Sequence, residues 1–257
     1  MLDHPIFSES IRRIRLLLAE QAAADPARGA ALAGLSPLER DVLERCIHSS
    51  GDVTIAAELR FSTDVCAIGA AALAAGAPIL TDTEMAAAAV APMARRTFGN
   101  RVICVLEWAP GIAPERSTRT AAGMAAALAE LEELAVGASS PGRPPPVVLI
   151  GSAPTALELL LERVAAPAGA GTGQVPPALV IGMPVGFVGV AESKRHLAAS
   201  GLVQVRLEGS RGGAGLVAAA CNALLRAAWI SRVTPATTPL PSSRSQTPAN
   251  RPPAPAG

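Results

Sequence analysis

Residues 44–61, ERCIHSSGDVTIAAELRF, place a histidine where a helix is about to stop. His48 is followed by Ser49, Ser50, Gly51 and Asp52, small polar residues that end helices and leave nearby side chains exposed. An imidazole with a reference pKa of ~6.5 holds or releases a proton near neutrality, which suits general acid or base work. Position alone favours a solvated histidine interacting with the helix dipole. Arg45 stands one turn earlier on the same face, where it is either a fixed cation for an anionic ligand group or an ordinary solvated arginine. His4 and His196 read as ordinary surface histidines.

Two glycine-rich turns are the other places for chemistry. In residues 178–194, ALVIGMPVGFVGVAESK, Gly182, Gly186 and Gly189 follow an apolar run. Without a Cβ the backbone there can approach a ligand closely or make a tight strand-to-helix turn. The spacing is not G-x-G-x-x-G and no Walker lysine follows, so a dinucleotide or triphosphate site is unsupported. In residues 208–225, EGSRGGAGLVAAACNALL, Ser210, Arg211, Gly212, Gly213 and Gly215 lead into a helix. Free N–H groups at such a start attract carboxylates or phosphates.

These residues need a scaffold, and the pattern supplies one. Short Val/Ile/Leu-rich runs at 78–81, 102–107, 147–150, 179–181 and 203–207 alternate with helical stretches, as in parallel strands joined by crossover helices. Ser36, Pro37 and Glu39 form a capping box for a helix running toward Ile47. Further helices are expected at 120–134, 154–164 and 214–229. Near-continuous apolar strands are buried on both faces, which predicts an α/β fold with a three-layer, doubly wound, mainly parallel sheet. Ligands in such sheets sit beyond the carboxyl ends of the strands.

Composition narrows the function. Half of the 257 residues are apolar but only four Phe, two Trp and no Tyr occur, so the core is built from small aliphatic side chains. The balance of 22 basic against 21 acidic residues disfavours nucleic acid or an anionic membrane as partner. Cys46, Cys66, Cys104 and Cys221 are widely spaced and read as buried free thiols of a cytoplasmic protein. No secretory signal is expected, and the apolar run 65–80 is too short to span a membrane. Segments 138–146 and 165–177 read as surface loops. One domain over 1–232 is expected, followed by a Pro/Ser/Thr-rich tail at 233–257 with too little to bury to order itself.

Taken in order, ERCIHSSGD, GAPILTD, IGSAPTAL, GMPVGFVGVAESK and the G-RGG-G-VAAACNAL pattern resemble the precorrin-8X methylmutase family over residues 7–225. The resemblance implies a flavodoxin-like fold, a homodimer with channelling to other corrin-pathway enzymes, and no metal or organic cofactor. It implies a tetrapyrrole substrate, precorrin-8X, rich in carboxylates. The reaction it implies is an isomerisation, a 1,5-sigmatropic methyl shift from C-11 to C-12 that yields hydrogenobyrinate in cobalamin biosynthesis. Protonation of the conjugated system and a fixed macrocycle conformation are what such a shift requires.

On this resemblance His48 is the acid catalyst. Ser10, Arg45, Arg119, Gly186, Gly189, Arg211, Gly212 and Gly213 fall on substrate-binding positions. The alignment of Ser10 crosses an extended connection, 22–35. The chain departs from the family where Ala89, Val90, Ala91 and Pro92 replace a Gly-Ile-Thr-Arg type sequence, losing a hydroxyl and a cation. Three alternatives stay open: a cobalt-precorrin-8 methylmutase, a non-catalytic corrinoid carrier, and a flavodoxin-like nucleotide-binding module.

Overall fold

The computed structural model describes residues 4–136, 144–166 and 176–234, with 132–136 described as backbone. The predicted loops fall mostly outside these segments, as does the tail after Thr234. In chain order the elements are helices α1 (Pro5–Ala24), α2 (Pro26–Ala33) and α3 (Pro37–Ser50), strand β1 (Leu59–Phe61), helix α4 (Val65–Ala74), strand β2 (Ile79–Thr81), helix α5 (Glu84–Arg96) and strand β3 (Val102–Cys104). They continue with α6 (Arg119–Val136), β4 (Val147–Ile150), α7 (Pro154–Ala165), β5 (Leu179–Gly182), α8 (Val190–Ala199), β6 (Gln204–Leu207) and α9 (Ala214–Val233).

The six strands lie in the order β1-β6-β5-β4-β2-β3, and only the β1–β6 pair is antiparallel. Counted alone, the five parallel strands follow the 2-1-3-4-5 order of flavodoxin-type doubly wound sheets, with the topological switch between β2 and β4. The central strands β2, β4 and β5 are buried throughout. One core joins the sheet to α3, α4, α5 and α9, and a second, on the opposite face, joins it to α6 and α7. The α/β three-layer expectation therefore holds.

Local chemistry explains several boundaries. The Ser36–Glu39 capping box forms, and α3 ends at Gly51, whose φ of 68° is the left-handed conformation that glycine adopts without strain. Three readings need correction. The strand expected over 102–107 stops at Cys104 and turns into a 3-10 segment, Val105–Trp108. Its backbone is gripped by α6, where a Cβ on Gly123 would stand 2.2 Å from the Val105 carbonyl oxygen. The antiparallel β1 escaped sequence reading because three residues centred on Arg60 carry no periodic signal. Finally, α9 is long and apolar enough to cross a membrane by length and composition, a property expected of no segment. It is instead the core helix packed between the sheet and α3, α4 and α5.

Candidate active site

Helix α3 carries His48 on its last turn, exposed at the carboxyl edge of the sheet. The place is fixed by α9, which begins just after β6: Ser49 Oγ donates to the Gly215 carbonyl at 3.4 Å, and the buried Cys46 thiol points to the Leu216 carbonyl. Helix α1 closes over His48 from the other side. Ser10 Oγ lies 2.7 Å from His48 Nδ1, and the Phe7 ring meets the imidazole edge-to-face at 5.0 Å between centroids. The same Phe7 ring lies 4.6 Å below the Arg45 guanidinium carbon. A bidentate pair, Arg15 to the buried Glu44 at 2.8 and 2.9 Å, ties α1 to α3 one turn before His48. Connection 22–35, which separates Ser10 from His48 in sequence, contains α2, capped by Asp25.

The two glycine turns meet beside this helix end. The Gly213 N–H donates to the Met183 carbonyl, and that of Gly186 to the Ser210 carbonyl. A Cβ on Gly212 would stand 2.0 Å from the Met183 carbonyl oxygen, so only glycine lets the loops after β5 and β6 lie against each other. Gly186, Gly189 and Gly213 all take positive φ. Thus these glycines serve the turn in the first place and shape the surface at α9's start through it.

Arg211 is placed differently from expectation. Its guanidinium pairs with Asp52 and, at 2.6 Å, with Glu58, and donates to Thr54 Oγ1. It clamps the loop after β6 to the segment following His48. Lys194, the lysine of the AESK motif, is buried and donates from Nζ to the carbonyls of Gly209 at 2.9 Å and Arg211 at 2.6 Å. Burial pulls its ammonium down to about 8, the nearby Glu58 opposing. Sequence reading missed Lys194 as an anchor, although a lysine inside a helix of otherwise core-facing spacing was a visible signal.

Arg119 opens α6 at the same carboxyl edge, with its Nε donating to the Pro110 carbonyl at 2.8 Å. The adjacent Thr118 hydroxyl joins that of Thr155 on α7 at 2.8 Å. Between these helices lies the switch point, and there the structure holds a residue that sequence reading passed over. The fully buried Asp82, at the end of β2, accepts from the backbone N–H groups of Gly151, Ser152 and Ala153 at 3.0, 2.6 and 2.9 Å. Burial pushes its carboxyl up, while these three amides pull it back down. Where a nucleotide-binding relative of this topology would offer amides to a phosphate, the chain supplies its own carboxylate. This removes the ground for a nucleotide-binding module.

The departure from the family pattern lies in α5. Val90 is buried in the core, Pro92 lies within the helix, and the Ala89 carbonyl accepts from Asn222 of α9 at 3.2 Å. The four cysteines are buried, and burial pushes the Cys46, Cys66 and Cys221 thiols up to about 12. His4 caps α1, and His196 pairs with Glu158. Large apolar side chains stand exposed along the carboxyl edge: Met85 after β2, Ile112 after β3, and Val185, Phe187 and Val188 after β5.

Comparison with known proteins gives one answer. Residues 5–227 match the family model described as CbiC: Precorrin-8X methylmutase. The precorrin-8X methylmutase of Pseudomonas aeruginosa is 44% identical over 198 residues, 75% of this chain and 86% of that protein. The cobalt-precorrin-8 methylmutase of Synechocystis is 33% identical over 242 residues, 89% of this chain and 97% of that protein. The crystal structure of precorrin-8x methyl mutase from Thermus thermophilus superposes with a TM-score of 0.67 at 36% identity, covering 88% of this chain and 98% of that one.

Proposed function

The chain belongs to the precorrin-8X methylmutase family, and from that premise we propose that it isomerises precorrin-8X to hydrogenobyrinate in cobalamin biosynthesis, with His48 as the acid. The observation that carries this reading is the 2.7 Å contact between Ser10 Oγ and His48 Nδ1. A hydroxyl that occupies Nδ1 leaves Nε2 as the nitrogen that meets the substrate, so one ring nitrogen is held and the other delivers the proton.

The chemistry asks little more of the protein. Nε2–H protonates the conjugated macrocycle, the methyl passes from C-11 to C-12 within the protonated system, and the proton returns to His48. No atom is gained or lost overall. A positioned acid contributes about 100- to 10,000-fold in such steps, and holding a single macrocycle conformation contributes the rest. The amide-rich start of α9 beside His48, together with Arg45 and Arg119, offers positive potential to the carboxylate arms. Arg211 contributes to binding through the loop it clamps, since Asp52 and Glu58 already occupy its guanidinium. The exposed apolar rim of Met85, Ile112, Val185, Phe187 and Val188 suits the flat face of a macrocycle and a second copy of the chain covering it. A cytoplasmic homodimer acting without metal or organic cofactor, and passing product to the next enzyme of the route, completes the proposal.

Cobalt-precorrin-8 is the second reading, favoured by the 89% coverage of this chain by the Synechocystis relative. Offering purified protein metal-free precorrin-8X and its cobalt form in parallel, and following the corrin absorbance, separates the two. Conversion of the metal-free form by wild type and not by His48→Ala is the expected result. Conversion of the cobalt form alone would transfer the assignment, and normal turnover by His48→Ala would remove the acid from His48.

A further inference from the structure

We infer that Phe7 is a positioning residue for the reaction: its ring holds the His48 imidazole and the Arg45 guanidinium in one fixed arrangement. This rests on the assignment of His48 as the acid. Residues 45 and 48 share one face of α3, so nothing in the helix itself keeps their side chains apart. Phe7 reaches down from α1 and touches both. Its ring meets the imidazole at 84° and 5.0 Å, and the guanidinium carbon lies 4.6 Å from its centroid.

Both contacts are of the attractive kind. The electron-rich face of a phenyl ring draws a guanidinium, and edge-to-face packing fixes the orientation of a neighbouring aromatic ring. A half-buried Phe7 also fills the space into which a freed imidazole would turn. Ser10, one turn further along α1, then meets Nδ1 of a ring that already stands in the right plane. The helix that presents both residues is anchored elsewhere. Its buried side chains are Ile14 and Leu18, and its bidentate ion pair is Arg15 to Glu44. Substitution at Phe7 therefore acts at the His48 end of α1 and leaves that anchor intact.

The test compares Phe7→Ala, Phe7→Leu and Phe7→Tyr with wild type and His48→Ala, using steady-state conversion of precorrin-8X and 15N NMR of the His48 ring. Leucine keeps most of the apolar volume without a π face, and tyrosine restores the face. For Phe7→Ala and Phe7→Leu, kcat is expected to fall about tenfold with KM changed less than about twofold, the size of losing two aromatic contacts. The two ring 15N signals, which report which nitrogen carries the proton, should move toward a mixture of tautomers. Phe7→Tyr should recover both. If Phe7→Ala does not fold, Phe7→Leu carries the test. Wild-type kcat and ring signals in Phe7→Leu would overturn the inference, as would a loss confined to KM or a fall in kcat with unmoved ring signals. Normal turnover by His48→Ala would instead defeat the acid assignment, and the ring signals would still report whether Phe7 orients the imidazole.

Discussion

Two ends of the same sheet edge treat backbone amides in opposite ways. At the β2–β4 switch point, three consecutive N–H groups that open α7 are consumed internally by the buried Asp82. At the β5–β6 end, the loops that lead into α9 spend their internal bonds on carbonyls, through Gly213, Gly186 and Lys194, and the start of α9 lies beside an exposed histidine. The first end has the form of an anion site and is closed by the chain's own anion. The second has an unfamiliar form and exposes His48, the proposed acid. Ligands of this fold class sit at the switch point, but here that place is filled, and the exposed groups lie at the ends of α3 and α9.

The largest expected effect breaks the active end. His48→Ala should lower kcat by about 1,000-fold, within the range for loss of a positioned general acid, while hydrogenobyrinate binding measured by absorbance titration stays within about threefold. Next in size is the closed end. Asp82→Ala strands three amides and should cost about 3 kcal/mol in urea unfolding, whereas Asp82→Asn, which keeps an acceptor, should cost about 1 kcal/mol or less. An alanine variant as stable as wild type would show that solvent serves those amides.

Ser10→Ala should reduce kcat about tenfold, the loss of one orienting hydrogen bond. The effect should appear in kcat rather than KM, and an unchanged kcat would mean that His48 needs no partner at Nδ1. The last effect is a pH dependence of stability and concerns Lys194. With a folded pKa of about 8 against 10.5 as its ordinary value, the unfolded chain binds more protons between these limits. Wild type should therefore gain stability relative to Lys194→Met as pH rises from about 8 to 10.5, and show a constant difference below pH 8. A difference that instead falls over that window would show the ammonium to be stabilised, not strained, by its burial.

Much of this molecule was legible because it is local. Capping residues placed α3, and Pro154 opened α7. Runs such as VVLI and LVI read as doubly buried strands, and both are. The short β1 and the shortened β3 were not legible, since each is settled by the neighbour it meets: β6 for the first and the Gly123 face of α6 for the second. Asp82 was read as part of a family motif and not as an anchor, because nothing in GAPILTD reveals that residues 151–153 will aim three amides at it.

By itself, then, the sequence determined the five parallel strands, four of the helices, the doubly wound class and the histidine at a helix end, each from spacing within a few residues, and the family from the order of its motifs. Only the tertiary structure decided which groups meet. Ser10 lies 38 positions from His48, and Arg211 lies 159 from Asp52. Contacts over such separations form only when the sheet order and the packing of α1, α3 and α9 bring the segments together. No local propensity encodes that coincidence, and for this reason Arg211 is a clamp, Asp82 a plug and Phe7 a neighbour of His48.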